Sequence, residues 1–413
     1  MNRTGSTSDN GTTEWWIISG LCGFAVSSYL ARANISVASE SMRNALHLNQ
    51  VQMGEIFSSF LAGYALFQIA GGAIGDRFGP RITLGISALL WSATSVTTGL
   101  VPRLFASSTA SILIAFCAVR LLLGAAEATT FPVGNLAIRM RLNPSQHARG
   151  TSVMFLGTCI ASAATGPLVS YLNTRFGWQA VFYLTAAPPF VLGCGWLLLA
   201  PGDNPQPSSR TSADPAARLE VLKILSRRNT VLLVMSYISE GYVLFLFVFW
   251  MYTYLVERRG FSLMNAGWLS AAPWLTALVL TPLGGIACDR VSRRSGKAYG
   301  ARVVIATGYV ASGVFLYVAA YSRSQGLCLF GLCASIASLM AAEPGFWSFA
   351  AHVSGDHVGL VSGVMNTAGI VGGIASTLLV PILVRSLDWG IALASGTAMA
   401  LFCAAVWLFI GEV

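Results

Sequence analysis

The stretch Gly71–Arg77, which reads Gly-Gly-Ala-Ile-Gly-Asp-Arg, lies between two long apolar runs and decides the fold. A related stretch, Gly284–Arg290, reads Gly-Gly-Ile-Ala-Cys-Asp-Arg and also ends an apolar run. Glycines let neighbouring helices approach closely, and the acid and arginine place charge where an apolar run leaves the membrane. The two copies predict the same tight, charged turn in two halves of one chain.

Two more landmarks repeat with a common spacing. Val153-Met154 recurs as Val364-Met365 and Trp178 recurs as Trp389, both 211 positions later, whereas the glycine-rich stretch recurs at 213. A shared spacing of this kind indicates an internal repeat. Two homologous halves related by an axis along the membrane normal are typical of transporters, in which the substrate site lies at the interface of the halves.

The composition indicates a chain embedded in a lipid bilayer. Of the 413 residues, 55% are hydrophobic and 10% are charged, with a mean hydropathy of +0.66, whereas soluble domains carry about 25% charged residues. The net charge of +9 lies in short loops, without a basic groove interleaved with aromatic residues. This distribution argues against nucleic acid as a partner.

Twelve apolar segments are long enough to cross a bilayer, which takes roughly 20 residues per helix. The sequence therefore predicts an all-α membrane protein with twelve transmembrane helices in two pseudo-symmetric six-helix bundles. We expect a cytoplasmic tail at 1–14, an N-terminal bundle at 15–200, a linker with an amphipathic surface helix at 201–229 and a C-terminal bundle at 230–413. The segments are 15–38, 51–74, 82–102, 110–138, 150–172, 179–200, 230–255, 265–288, 302–321, 327–350, 360–384 and 388–411.

Positive charge predicts the orientation. If the N-terminus is cytoplasmic, 16 of the 25 Lys and Arg lie on the cytoplasmic side and seven on the other, with two inside segments. Because cytoplasmic loops are enriched in these residues, we expect both termini in the cytoplasm. The short loops favour the inner membrane of a bacterium. The polar start of the chain lacks a basic region and a cleavage site, so we expect the first helix to be retained.

No pattern for catalysis or for a cofactor stands out. The eight cysteines lie within apolar runs and form no CxxC pair, which is typical of buried small residues. His352, Asp356 and His357 lack the ligand spacing of a metal site. With no nucleophile elbow and no phosphate-binding loop in the sequence, we expect neither enzyme activity nor a cofactor or metal.

The segment Gly72–Arg81 resembles the signature of the loop between helices 2 and 3 in the major facilitator superfamily. Longer stretches are similar to the anion:cation symporter branch of that family, which includes sugar-acid symporters and the sialic acid and vesicular glutamate carriers. The resemblance covers nearly the whole chain in the family's order, at 29–38, 63–69, 120–132, 250–262 and 362–367.

This resemblance implies a gate. Asp76, Arg77 and Arg81, with the related Asp289 and Arg290 in the second half, are expected to help close the cytoplasmic side. The alternative is a tight basic turn with no gating role.

Five of the charged residues inside the apolar segments are candidates for the site, because a charge costs about 2.5–3.5 kcal/mol at the bilayer centre. Arg32 matches the arginine that holds the substrate carboxylate in the family, and a guanidinium can bind a carboxylate with two hydrogen bonds. A permanent structural pair with Glu127 is the alternative. The five residues are Arg32, Arg120, Glu127, Glu240 and Glu343.

Glu127 is the predicted proton-coupling residue. It follows Arg120 by seven positions, so the two share a helix face but lie about 10 Å apart, and Arg32 is the expected partner. A nearby positive charge favours the ionised carboxylate. A substrate that occupies Arg32 would therefore leave Glu127 easier to protonate.

Ala31 is a departure from the family pattern. Many sugar-acid symporters have an aspartate immediately before the helix 1 arginine, so the proton stoichiometry stays open here. Glu240 or Glu343 could carry a second proton, although neither has a counterpart in the branch. The alternative for both is a structural role.

Polar and aromatic residues complete the predicted substrate site. Tyr29 lies one helical turn before Arg32, and Tyr64 and Gln68 share a helix face at a spacing of four. For the aromatic residues the alternative role is packing. For Arg120, in the predicted fourth segment, the alternative is a position at the membrane surface. The resemblance implies further substrate contacts at Arg120, Trp347, Ser348 and Asn366.

Together these features predict a secondary active transporter that moves a small organic anion, a sugar acid or related carboxylate, together with protons by alternating access. We expect a monomer. The alternatives are an anion exchanger, an exporter or a potential-driven uniporter without proton coupling. A membrane-embedded enzyme is a different class, but it would need a cluster of reactive side chains near one membrane surface.

Overall fold

The structure is a computed structural model that describes residues 7–105, 108–142, 147–202, 223–354 and 358–411. Nearly all of these residues are helical. The helices are α1 (Thr7–Leu46), α2 (Gln50–Leu104), α3 (Thr109–Glu127), α4 (Thr130–Arg141), α5 (His147–Phe176), α6 (Trp178–Leu199), α7 (Arg228–Glu257), α8 (Leu263–Ser295), α9 (Lys297–Tyr321), α10 (Gln325–Val353), α11 (Val358–Ser386) and α12 (Trp389–Leu408).

The first helix begins earlier than expected. α1 starts at Thr7, inside the stretch predicted to be a cytoplasmic tail. Most of the predicted linker and its amphipathic helix, residues 203–222, lies outside the described residues, as do Asp356 and His357.

The turn between the predicted second and third segments is a single kink. α2 continues through both segments and bends at Gly79, whose φ is 80° and ψ is 161°. Such a positive φ is strained for residues with a side chain but not for glycine, and Pro80 cannot donate a helical hydrogen bond. Gly296, with φ 92° and ψ 153°, separates α8 from α9 in the same way.

The predicted fourth segment, 110–138, is two helices. α3 ends at Glu127 and α4 begins at Thr130. Pro132 explains the break, because proline lacks an N–H and its ring clashes with the carbonyl of the residue four positions earlier, here Ala128. The break places Glu127 at an interrupted point of the membrane-crossing path.

Eleven stretches of the described helices are long and apolar enough to cross a membrane. The predicted segment 51–74 is not among them; the stretch found in α2 is Ala70–Leu104. The first part of α2 carries Gln50, Gln52, Glu55 and Gln68, which lower its hydropathy. It nevertheless runs 30 residues to Gly79, about 45 Å, and that length can cross a bilayer.

The internal repeat is visible in helix contacts. In the first half, two consecutive glycines of α2 pack against the α3–α4 junction and the start of α4. In the second half, two consecutive glycines of α8 pack in the same way against α10. The contacts are Gly71 with Thr129 and Gly72 with Pro132, then Gly284 with Ala341 and Gly285 with Pro344.

The two halves, α1–α6 and α7–α12, meet at the end of the molecule opposite the start of α1, which we call the far end. There α2 crosses α11, where the Ser58 and Thr377 hydroxyls lie 2.6 Å apart. α5 crosses α8, where Gly166 packs against Ser270. Ser270 follows Ser58 by 212 positions and Thr377 follows Gly166 by 211, so the two crossings are copies of one contact.

Candidate functional site

Arg32 lies in α1 at the centre of an aromatic cluster. Its guanidinium carbon is 4.7 Å from the ring centroid of Tyr29, 4.7 Å from that of Tyr64 and 5.4 Å from that of Phe60. These distances are in the range of cation–π contacts. The residue is only 4% exposed. An arginine at an interface between bundles would be expected to face open water, but in this conformation the rings enclose it.

The hydrogen-bonding capacity of Arg32 is largely unused. Its Nε and Nη2 atoms are buried and have no hydrogen-bond partner among the described residues. A buried guanidinium normally has its N–H groups paired. Two open donors on a fixed positive charge can accept a carboxylate.

Glu127 is the acid next to Arg32. Its Oε2 lies 3.8 Å from Arg32 Nη2 and accepts a hydrogen bond of 2.9 Å from the Ser28 hydroxyl. The residue is fully buried, and within the described chain its Oε1 has no partner. At 3.8 Å the pair is in contact but not closely hydrogen-bonded, so either group can exchange the other for a new partner without breaking a strong bond.

Arg120 lies apart from this pair. Its Nη1 donates to the Ala31 carbonyl at 3.3 Å and its Nη2 to Asn34 Oδ1 at 3.4 Å. Its guanidinium carbon lies 5.2 Å from the Phe182 ring centroid. The residue is 1% exposed. The structure therefore places Arg120 between α1 and α6, against the backbone next to Arg32, and its contact with a substrate stays a prediction.

The second half contributes an acidic cluster. Glu343 Oε1 accepts hydrogen bonds from the Tyr237 hydroxyl at 2.6 Å and from Trp347 Nε1 at 2.7 Å. Its Oε2 is buried without a partner among the described residues. Glu240 is 3% exposed and forms neither a hydrogen bond nor an ion pair in the described chain. Both acids lie beside Tyr237, because a Cβ atom on Gly369 would lie 2.9 Å from the Tyr237 ring and 3.4 Å from Glu240 Oε2.

The two clusters lie on opposite sides of the interface of the halves. The contacts of Ser36 with Phe249 and of Ser39 with Thr253 fix the register of α1 against α7, so Arg32 and Glu240 lie about five residues, roughly 8 Å, apart along the helix axes. Three further predicted site residues are Gln68, whose Oε1 is buried without a described partner, Ser348, which is exposed near the end of α10, and Asn366, which is partly exposed.

The predicted gate residues are not engaged with one another in this conformation. Asp76, Arg77, Asp289 and Arg290 are exposed, and none forms an ion pair within the described residues. Arg81 donates to the Leu197 carbonyl, inside its own half. At the far end, by contrast, Arg43 of α1 pairs with Glu257 of α7.

Three site residues were missed by the sequence reasoning. Ser28 binds Glu127, Phe60 packs on Arg32, and Tyr237 binds Glu343. Helix periodicity carried a signal for two of them, because Ser28 lies four positions before Arg32 and Tyr237 lies three before Glu240.

Twelve described helices in two repeated halves, with buried charges facing across their interface, define a membrane transport protein. Residues 21–298 match the family model of the Major Facilitator Superfamily, and the chain belongs to that family. The expected fold and family are thereby confirmed.

Named relatives are anion transporters. The chain is 28% identical to the hexuronate transporter of Bacillus subtilis (strain 168) over 364 residues, which cover 84% of this chain and 83% of the relative. It is 27% identical over 384 residues to the "Probable sulfoacetate transporter SauU" of Cupriavidus necator, covering 89% and 86%. A solved D-xylose–proton symporter aligns with a TM-score of 0.76 at 18% identity, covering 96% of this chain and 98% of that chain, which supports the fold.

Proposed function

We propose that this protein is a secondary active transporter that moves a small organic carboxylate together with protons by alternating access. The observation that carries the proposal is Arg32: a buried, positively charged side chain at the interface of the halves whose Nε and Nη2 make no hydrogen bond to any described residue. The names of the relatives, which refer to hexuronate and sulfoacetate, support a small organic anion as the substrate.

In this proposal the substrate carboxylate binds the open Nε and Nη2 of Arg32. Tyr29 and Tyr64 flank the guanidinium and fix its plane. Gln68 and, from the second half, Trp347, Ser348 and Asn366 contact the rest of the molecule. Residues from both halves then hold one substrate, so binding is coupled to the movement of the halves.

Glu127 carries the proton. When Arg32 lies 3.8 Å away, its charge stabilises the ionised carboxylate. When a substrate takes over Arg32, that stabilisation weakens and Glu127 binds a proton more readily. The Ser28 hydroxyl can donate to the carboxylate or accept from the protonated acid, so it serves both states. Substrate and proton therefore bind together, which is symport.

The gate, the location and the assembly belong to the same proposal. Asp76, Arg77, Asp289 and Arg290 engage when the end opposite the far end closes, and Arg81 anchors its turn to α6. The protein acts as a monomer in a bacterial inner membrane with both termini in the cytoplasm, which makes the far end extracellular.

The test is uptake into proteoliposomes under an imposed pH gradient. The labelled substrates are a hexuronate, D-glucarate and sulfoacetate. We expect accumulation that follows the proton gradient for at least one of them and its loss in Arg32→Gln. Equal uptake by Arg32→Gln and the unchanged protein would overturn the proposal.

A second candidate is anion exchange, export or potential-driven uniport without protons. Ala31 favours it, because the sugar-acid symporters that the chain resembles often have an acid at this position. In the same proteoliposomes this candidate predicts uptake that responds to a counter-anion or a membrane potential and not to the pH gradient.

A further inference from the structure

The acidic cluster of α7 and α10 has no counterpart in the first half. Pro344 of α10 matches Pro132 of α4, because the preceding glycine pairs pack against both prolines in the same way. The residue before Pro132 is Phe131, whose ring packs edge-on against Tyr29 at 6.3 Å. The residue before Pro344 is Glu343. The repeat therefore has an aromatic residue on one side of the interface and a carboxyl group at the matching place on the other.

This carboxyl group is built into its position. The Tyr237 hydroxyl and Trp347 Nε1 both donate to Oε1 of Glu343, at 2.6 and 2.7 Å. Tyr237 is 4% exposed and its ring packs against Phe346 at 5.0 Å, so the donor is fixed. The other oxygen, Oε2, is buried and has no partner among the described residues. A carboxyl group oriented by two donors, with one oxygen left open, is typical of a ligand site.

The charges across the interface do not balance. In the first half, Arg32 pairs with Glu127, and Arg120 is a second buried arginine with no acid within ion-pair distance among the described residues. In the second half, Glu240 and Glu343 both lie beside Tyr237, and neither has a cationic partner within the described residues. Two buried carboxyl groups that lie together are costly to ionise without a cation beside them. A plain carboxylate bound to Arg32 supplies no cation, whereas a cationic group on the substrate would stabilise both carboxylates.

The surroundings also suit a cation. Trp347 is 37% exposed, and its ring lies edge-on to Tyr237 at 6.4 Å. Indole and phenol faces attract ammonium and quaternary ammonium groups. Tyr29 packs on Arg32 in α1, and Glu240 lies about five residues, roughly 8 Å, from the level of Arg32 along the helix axes, as the contacts of Ser36 and Ser39 with α7 fix it. The two clusters are thus close enough to bind the two ends of one small molecule.

We propose that the substrate is a carboxylate that also carries an ammonium or quaternary ammonium group, with its carboxylate on Arg32 and its cationic group on Glu343 and Glu240. The inference rests on the proposed function, because it takes Arg32 as the carboxylate site. It narrows the substrate class from sugar acids in general to amino-bearing acids.

The test compares matched pairs of ligands on the purified full-length chain by thermal shift and calorimetry. Each pair differs only by a hydroxyl or a cationic group: D-gluconate and 2-amino-2-deoxy-D-gluconate, and 4-hydroxybutanoate with 4-aminobutanoate and its trimethylammonium analogue. We expect the cationic member of at least one pair to bind at least tenfold more tightly.

Variants separate the two proposals. In the double variant Glu240→Gln, Glu343→Gln the cationic ligand of a pair should no longer bind more tightly than the hydroxy acid. The affinity for the hydroxy acid itself should stay the same or increase. Glutamine keeps an acceptor oxygen for Tyr237 and Trp347, so the fold is expected to survive. Glu55→Gln, an acid of α2 outside both clusters, is the matched control and should keep the advantage.

The possible results decide between the two proposals. If the hydroxy acid binds as well as the amino acid in every pair, or if the advantage persists in the double variant, the inference is overturned and the proposed function stands. If no carboxylate binds, or if Arg32→Gln binds all of them unchanged, the proposed function itself fails, and the inference fails with it.

Discussion

Glu127 and Arg32 lie 3.8 Å apart in a place where neither has a full set of hydrogen bonds. A pair this loose can respond to a third group, whereas a tight bidentate ion pair would resist it. In the proposed mechanism, the coupling of substrate and proton therefore depends on the ability of Glu127 to change its charge.

Glu127→Gln tests that coupling. Glutamine has the shape of a protonated glutamate and cannot ionise, so the variant should keep exchange of internal for external substrate but lose accumulation driven by a pH gradient. Counterflow and uphill uptake in proteoliposomes measure the two activities, with Glu55→Gln as the control. Equal loss of both activities would point to a structural role of Glu127 instead.

Arg120 differs from Arg32 in what it touches. It bonds the Ala31 carbonyl and the Asn34 side chain, and so it fixes the part of α1 that carries Arg32. We expect Arg120→Met to lower the free energy of unfolding by about 1–3 kcal/mol through the loss of buried hydrogen bonds.

Stability and binding should then change differently. Thermal unfolding of purified Arg120→Met should occur at a lower temperature, while the Kd for a carboxylate measured at low temperature changes less than threefold. Arg120→Lys should restore part of the stability. An unchanged unfolding temperature with a Kd weakened more than tenfold would instead make Arg120 a substrate contact.

The sequence predicted the residues of the site better than their contacts. Charges inside apolar segments are costly and therefore stand out, which identified Arg32, Glu127, Glu240 and Glu343. Which of them meet depends on how the helices are rotated and packed, and a single sequence carries little of that information. Arg120 illustrates the limit, because its spacing from Glu127 was read correctly but its neighbours on α1 and α6 were not.

At the scale of helices, close packing through glycine holds the site in place. A Cβ atom on Gly372 of α11 would run into the backbone carbonyl of Ile238 and approach the Tyr242 backbone nitrogen in α7. α7 carries Tyr237 and Glu240 on this stretch. Any separation of α7 from α11 would therefore also move the acidic cluster.

Gly372→Ala should lower the free energy of unfolding by about 1–3 kcal/mol, the usual cost of overpacking. Gly363→Ala in the same helix is the matched control, because a Cβ there meets nothing within 4 Å. Thermal unfolding of the two purified variants makes the comparison. Equal stability of both would show that α7 and α11 are not packed as closely as described.

The sequence predicts a helix boundary when residues next to it, such as charged residues, glycine or proline, mark the position. Asp76 and Arg77 marked the first charged turn correctly, but Gly79 with Pro80 reduces it to a kink inside one helix. Pro132 carries the signal for the break after Glu127, since a proline interrupts the turn before it. The first part of α2 contains polar residues and therefore has a low hydropathy. Such a segment can still cross a membrane when part of its surface packs against other helices, and a hydropathy value does not take that packing into account.

On the scale of the whole molecule, the two halves are closed at the far end. Among the described residues, every hydrogen bond found between the halves lies there, including Ser36 to the Phe249 carbonyl at 2.8 Å and Ser39 with Thr253 at 3.3 Å. The proposed gate at the opposite end is disengaged. The structure thus corresponds to one of the two states that the proposed alternating access requires.

Cross-linking of the far end should trap this state. With the eight native cysteines replaced, Ser39→Cys and Thr253→Cys place two thiols where the hydroxyls lie 3.3 Å apart, within reach of a disulfide. We expect oxidation to join them and to stop transport, because the far end can no longer open. Reduction should restore transport.

The single variants Ser39→Cys and Thr253→Cys serve as controls, since oxidation should leave their transport unchanged. Binding gives a second measurement. If the joined protein is held open at the end opposite the far end, it should still bind a carboxylate with a Kd close to that of the reduced protein, because the cross-link lies on the far-end side of Arg32 and leaves the opposite end free to move. Normal transport by the cross-linked protein would contradict this prediction. It would mean that the far end does not open during the transport cycle and that the protein does not work by alternating access.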